Sequence, residues 1–408
     1  MKKILLLSLI CLALLSLASH SDGRRIHAFA KSSAESEQSI LPVSDIGKDL
    51  ENEINKGLND LITGELENFF NELDNAGKHN FASSFRGLVE KILKGETVSA
   101  DTFLALIWGG VRDNVFSLTA SLVTIVILSV FFGISKNINS GFVKESTGQI
   151  IYYMIYASVI AVLCAMLNSV ILDVKRVITL ISRLVEISFP VLLTLMTAMG
   201  GSASASVYQP ATLIITKVVV NVIEFGILPL FYGATVFTII GNLTNNVKLE
   251  KLTNSLKSIA KWALGAMFGV ITALLTVQGV VGASIDTVSI RSAKFALSSY
   301  VPILGGYLSE GFDIIMASAF LLKNAVGLAS VIILFIIILG PVVRLVSMGL
   351  LMKLTAGIIE PMADSRISNL LYATSKNISI LTAIVLGLAF LVFSVFLLII
   401  FTFNMGVA

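Results

Sequence analysis

Lys217 and Glu224 stand seven residues apart in one apolar stretch, and Lys323 with Asn324 interrupts another. Seven residues make two turns of α-helix, so Lys217 and Glu224 are expected on one helix face. An ionisable group in hydrocarbon costs several kcal/mol unless it faces protein or water. The chemistry open to these four residues is a buried ion pair, a polar path across a membrane, or a contact between subunits. The plainer alternative is that the lysines reach back to the headgroups, or that the polar pair marks a loop between two shorter spans. For Glu224 the reading is buried pairing, because a carboxylate reaches the interface less easily; for Lys323 both readings stand.

Further charges sit at the margins of apolar segments. Arg291 and Lys294 precede Pro302 and are expected to anchor at the lipid headgroups. Arg183 and Glu186, three apart, have the spacing of a surface pair. Leu249, Leu252, Leu256 and Ile259 repeat at helical intervals among Lys248, Lys251, Lys257 and Lys261. They describe an amphipathic helix that lies on anionic lipid or docks a partner. Gly265, Gly269 and Ala273 form a small-residue strip suited to close helix approach. The run from Gly200 to Ser206 has poor helix stability and fits a flexible re-entrant tip.

Catalytic chemistry has no foothold. Histidine stops at His79, which stands alone and is read as a surface residue, so no metal cluster or Ser-His pair can form beyond it. No phosphate-cradling glycine loop occurs. Asp173, Asp286, Asp313 and Asp364 each fall near the boundary of an apolar segment, not as an intramembrane pair. Cys11 and Cys164 lie in separate apolar stretches, without disulfide or zinc spacing. The chain is expected to be a non-enzyme with no metal or cofactor.

The elements that hold these residues follow from composition. Of 408 residues, 55% are apolar and only 13% charged, with a mean hydropathy of +0.89. A soluble chain carries about twice that charge, so a set of soluble domains is excluded. The fold class is all-α: a polytopic helical membrane protein with a small helical N-terminal ectodomain. Residues 31–114 carry 15 acidic and 8 basic side chains, whereas residues 115–408 carry 10 and 17. No basic block points to nucleic acid.

A basic start and the apolar run Ile4–Ala18 make residues 1–30 a secretory signal. Residues 31–114 follow as an acidic helical extracytoplasmic domain, and 115–149 as a first span with its cytoplasmic loop. Residues 150–261 and 262–377 read as two membrane repeat units, and 378–408 as a C-terminal span. Pro190 and Pro229 are 39 residues apart, as are Pro302 and Pro341, with an offset of 112 between the pairs. These four prolines are expected to break helices, leaving 177–207 and 286–310 as interfacial or re-entrant segments. A crossing needs about 20 apolar residues, which gives about six spans, rising to about eight if the broken stretches cross separately. Lysines and arginines in 136–149, 244–261 and 344–377 place those segments on the cytoplasmic side. Duplicated units with broken helices recur in transporters, so an autonomous secondary transporter lined by Lys217, Glu224 and Lys323 is one functional reading. A scaffold whose spans only anchor the ectodomain is another.

Some stretches carry a family resemblance. They are Ser289-Ile290-Arg291-Ser292-Ala293-Lys294-Phe295, Tyr300-Val301-Pro302-Ile303-Leu304-Gly305-Gly306, and Ala317 through Gly327 with Lys323-Asn324 inside. With Gly200-Gly201-Ser202-Ala203, Gln209-Pro210 and Thr276-Val277-Gln278-Gly279, they resemble the stage III sporulation protein AE family. The resemblance covers nearly the whole chain and is strongest over 180–360. It implies a membrane subunit of a secretion-like channel complex that links mother cell and forespore and supports late forespore development. The implied partners are other stage III sporulation A-type membrane proteins and, through them, stage II sporulation protein Q. The implied location is the mother-cell-derived outer forespore membrane, with the N-terminal domain in the intermembrane space. The family supplies no catalytic residues; Lys323 and Arg291 are the matched positions of greatest functional interest.

Overall fold

The computed structural model describes Ile54, Gly57 and residues 64–77, 85–95, 100–142, 145–243, 249–300, 305–361 and 365–402. The signal segment 1–30 and Pro302 lie outside the described residues. All described elements are helical. Two short helices come first, α1 (Gly64–Gly77) and α2 (Phe85–Leu93). They meet through Phe69, Phe70, Phe85, Leu88 and Val89, all buried. Then come α3 (Ala100–Phe142), α4 (Glu145–Ala198) and α5 (Ser202–Leu213). Two π-helical stretches, Ile214–Val219 and Val222–Ile227, lead into α6 (Leu228–Leu243). The chain closes with α7 (Glu250–Tyr300), α8 (Gly305–Ile359) and α9 (Ser365–Phe401).

Six helical segments are long and apolar enough to cross a membrane: Asn114–Phe131, Tyr153–Ala198, Ser202–Leu243, Glu250–Val277, Asp313–Ile359 and Ser365–Phe401. This is the expected number, reached by a different route. Pro190 does not break the segment 177–207: α4 runs unbroken through it to Ala198 as a helix of 54 residues, and the chain turns only at Gly200. Proline costs a free helix about 3 kcal/mol. Here packing outweighs that cost: Phe189 is fully buried and sets its ring edge-on to Phe396 at 5.5 Å. Pro341 likewise lies inside α8, which continues to Ile359. Residues 286–300 belong to α7, so that part of the second expected re-entrant segment is also plain helix. The stretch expected as a cytoplasmic loop, 344–377, is helix at both ends, with α8 ending at Ile359 and α9 starting at Ser365. Pro229 stands beside a real irregularity, as the second residue of α6 after the second π-helical stretch.

Helix α9 is the most enclosed, with 61% of its span window buried against 22% for the spans in α3 and α7. Its apolar residues face α8, α4, α7 and α6 on all sides, which is what a helix hydrophobic all round requires. Ile400 packs on Gly327 near Leu192, while Ser368 donates to the Ala356 carbonyl at 2.9 Å. Helix α8 is therefore antiparallel to α9. Gly387 of α9 receives the ring of Phe268 from α7, and a Cβ there would fall onto the ring. Gly387→Ala should therefore cost about 1–3 kcal/mol by overpacking, read as a lower melting temperature of the purified protein. Outside the core, Phe116, Ile127 and Phe131 of α3 and Leu213 and Phe225 around the π stretches stay exposed. An apolar exterior on an apolar interior is the arrangement lipid demands.

Candidate functional site

Among the described residues two charged side chains are fully buried, Asp286 and Lys323, and each meets the end of another helix. Helix α5 begins after Gly200, whose φ is +83°, and Gly201 offers no side-chain cap. The first amides of any helix lack partners within it. Asp286, reaching across from α7, accepts the Ala203 N–H at 2.8 Å and the Ser204 N–H at 2.7 Å. A carboxylate at the positive end of a helix is favoured by the aligned peptide dipoles as well. The run 200–206 is thus a pinned turn and helix start, not the flexible tip its composition implied.

Lys323 performs the opposite task. Its Nζ donates to the Ile400 carbonyl at 3.1 Å, in the last turn of α9, and lies 5.5 Å from the Phe320 ring centroid. A cation suits the negative end of a helix. The same end of the bundle is tied by Tyr208, whose hydroxyl shares a hydrogen bond with the Thr402 hydroxyl at 2.9 Å. Asn324, beside Lys323, is half-buried, and its Oδ1 has no partner among the described residues.

The remaining candidates are more exposed. Lys217 pairs with Glu186 of α4 at 3.8 Å, not with Glu224. A π-helical turn takes about one residue more than an α turn. Both π stretches overlap the interval 217–224, so seven residues fall short of two turns and Glu224 leaves the Lys217 face. No described residue pairs with Glu224, which is half-buried. Arg183 does not pair with Glu186 either: it donates to Glu72 of α1 at 2.6 Å and lies over Phe69, 5.5 Å from the ring centroid. This contact and the packing of Leu322 against Gly57 join the N-terminal helices to the bundle. Arg291 and Lys294 lie within α7, and their side chains are outside the described residues.

Several linking residues escaped the sequence pattern. Arg344 of α8 pairs with Asp173 of α4 and donates to the Ser169 hydroxyl at 3.1 Å. Nearby in level, buried Asn377 donates to Thr238 at 3.1 Å, and Tyr156 donates to the Ile239 carbonyl at 3.0 Å. An aspartate at the edge of an apolar run was the available signal for Asp286 and Asp173, but each partner lies far away in sequence. The strip at Gly265 and Gly269 contacts nothing within 4 Å of a would-be Cβ. Gly269 and Ala273 open instead into an apolar surface groove bounded by Phe268, Val277 and Phe390. Among the described residues no three His, Cys, Asp or Glu side chains gather as metal ligands would. Chemically, the buried charges satisfy helix ends and hold a framework in register.

Comparison with known proteins fits this plan. The family model described as Stage III sporulation protein AE matches residues 83–402. The Stage III sporulation protein AE of Bacillus subtilis (strain 168) is 24% identical over 319 residues, which is 78% of this chain and 80% of that protein. No solved structure matches.

Proposed function

As a member of the stage III sporulation protein AE family, this chain is an integral membrane protein of sporulation, and we propose that it is a structural subunit of a transenvelope channel complex joining mother cell and forespore. In this reading it sits in the outer forespore membrane with its acidic N-terminal helices in the intermembrane space. It assembles with other stage III sporulation A-type membrane proteins and, through them, with stage II sporulation protein Q. It has no catalytic step of its own.

The observation that carries the reading over an autonomous transporter is the use of the buried charges. Asp286 and Lys323 close helix ends inside the chain. A transporter places such groups around a substrate at mid-membrane. The open small-residue groove beside Phe268 supports a subunit role, since small residues let a neighbouring helix approach closely.

Cross-linking in sporulating cells, followed by purification through this chain, should recover the A-type proteins and protein Q. Liposomes holding the purified chain alone should move no solute; uptake by them would establish the transporter instead. The same cells test orientation by cysteine accessibility, with exposed Cys164 first replaced. A cysteine at Ser255 should label from the cytoplasm, and cysteines at Ser298 and Met405 from the other side. One at Ser206, exposed near the start of α5, should label with Met405, because Asp286 and Thr402 hold α5 at that end.

A further inference from the structure

We propose that Lys257, Lys261 and Lys376 form a phosphate-binding site for the headgroup of an anionic phospholipid, seated between the start of α7 and the first half of α9. The three lysines line one groove with Asn254, Ser258 and Ser379. Lys257 and Lys261 stand one turn apart on α7, and folding brings Lys376 to them from more than a hundred residues away. Like charges so placed repel unless an anion lies between them. Four other described cations do hold carboxylates: Arg86 with Glu90, Arg183 with Glu72, Lys217 with Glu186 and Arg344 with Asp173. None of the three groove lysines has an ion pair with a described carboxylate. Glu250 acts on Lys257 only through space, which leaves three cations against one carboxylate. Asn254 and Ser258 add neutral donors, as a phosphate requires beyond charge alone.

Depth selects a lipid as the source of that phosphate. Lys376 lies 24 residues before Ile400 on α9 (400 − 376), and Lys257 lies 29 residues before Asp286 on α7 (286 − 257). At 1.5 Å per residue these are about 36 and 44 Å. A bilayer with its headgroups is about 40–45 Å thick. With the capped helix ends at one face of the bilayer, the groove stands at headgroup depth on the other. Trp262 and Tyr372, both exposed, flank it as interfacial aromatics do, with the Lys376 ammonium 4.3 Å from the Tyr372 ring centroid. Exposed Leu252 and Ile259 on the same helix offer apolar surface to acyl chains.

The test uses the purified full-length protein in neutral detergent, titrated with phosphatidylglycerol, phosphatidylcholine or inorganic phosphate. Phosphatidylglycerol should raise the melting temperature, and the other two should not. Lys257→Gln, Lys261→Gln and Lys376→Gln should each weaken the effect roughly fivefold, and the triple variant about a hundredfold. Lys175→Gln, exposed on α4, should leave it unchanged. Native mass spectrometry should show phosphatidylglycerol retained by the wild type and absent from the triple variant, whatever its melting temperature. An equal shift with inorganic phosphate would make the ligand soluble and overturn the lipid assignment. An unaltered response in the triple variant, or no response in the wild type, would remove the site.

Discussion

Asp286→Ala should destabilise the folded protein by about 3–5 kcal/mol, the range for breaking a buried charged contact. The carboxylate accepts two short hydrogen bonds from Ala203 and Ser204, and no other side chain caps that helix. Removing it leaves both amides without partners in the interior, at about 1–3 kcal/mol each. The favourable interaction with the α5 dipole goes as well. Asp286→Asn should fall between, because an amide oxygen can still accept one N–H while its own NH2 group meets the other donor. Thermal unfolding in detergent reads the loss, and limited proteolysis should show new cleavage across 199–206 in the Ala variant. A variant that melts with the wild type and resists protease there would show that α5 does not depend on this contact.

The second large effect is expected at Lys323, where the direction depends on the replacement. Methionine keeps the length and apolar stem, loses one hydrogen bond to Ile400 and also removes a desolvated charge. Those changes oppose each other, so Lys323→Met should lie within about 2 kcal/mol of the wild type. Lys323→Glu instead buries a carboxylate against the Ile400 carbonyl, at the negative end of α9. An uncompensated buried charge costs about 3–5 kcal/mol. Gly327, one turn along α8, packs on Ile400 and leaves little room for water to relieve that charge. The Glu variant should fail to accumulate in the membrane and fail to support spore formation, while Met does both. Equal accumulation of the two would show that the cation at this helix end carries no weight.

Lys323 was legible in the sequence as a costly residue because its neighbours are apolar, a local property. Its partner was not, since Ile400 lies 77 residues away on another helix. Lys217 and Glu224 show a sharper failure. Their spacing is correct for an α-helix, but two π-helical stretches change the turn between them. No residue pattern announces such a turn, and once it forms Lys217 faces Glu186. Pro190 was misleading for a related reason: proline weakens a helix locally, yet α4 is held through it by buried neighbours such as Phe189. Asp286 was overlooked because a lone aspartate near a segment boundary is as compatible with a loop as with a cap.

From residue order alone came the all-helical class, about six segments long and apolar enough to cross a membrane, and the lysine-rich turn at the start of α7. Those depend on transfer free energies summed over windows of about 20 residues, which neighbours along the chain decide. Tertiary structure alone decided which helices run unbroken, which helix ends Asp286 and Lys323 close, and that Lys376 completes a groove with Lys257 and Lys261. Such outcomes arise from contacts between residues tens to hundreds of positions apart, and the energy of those contacts exists only after the helices have packed.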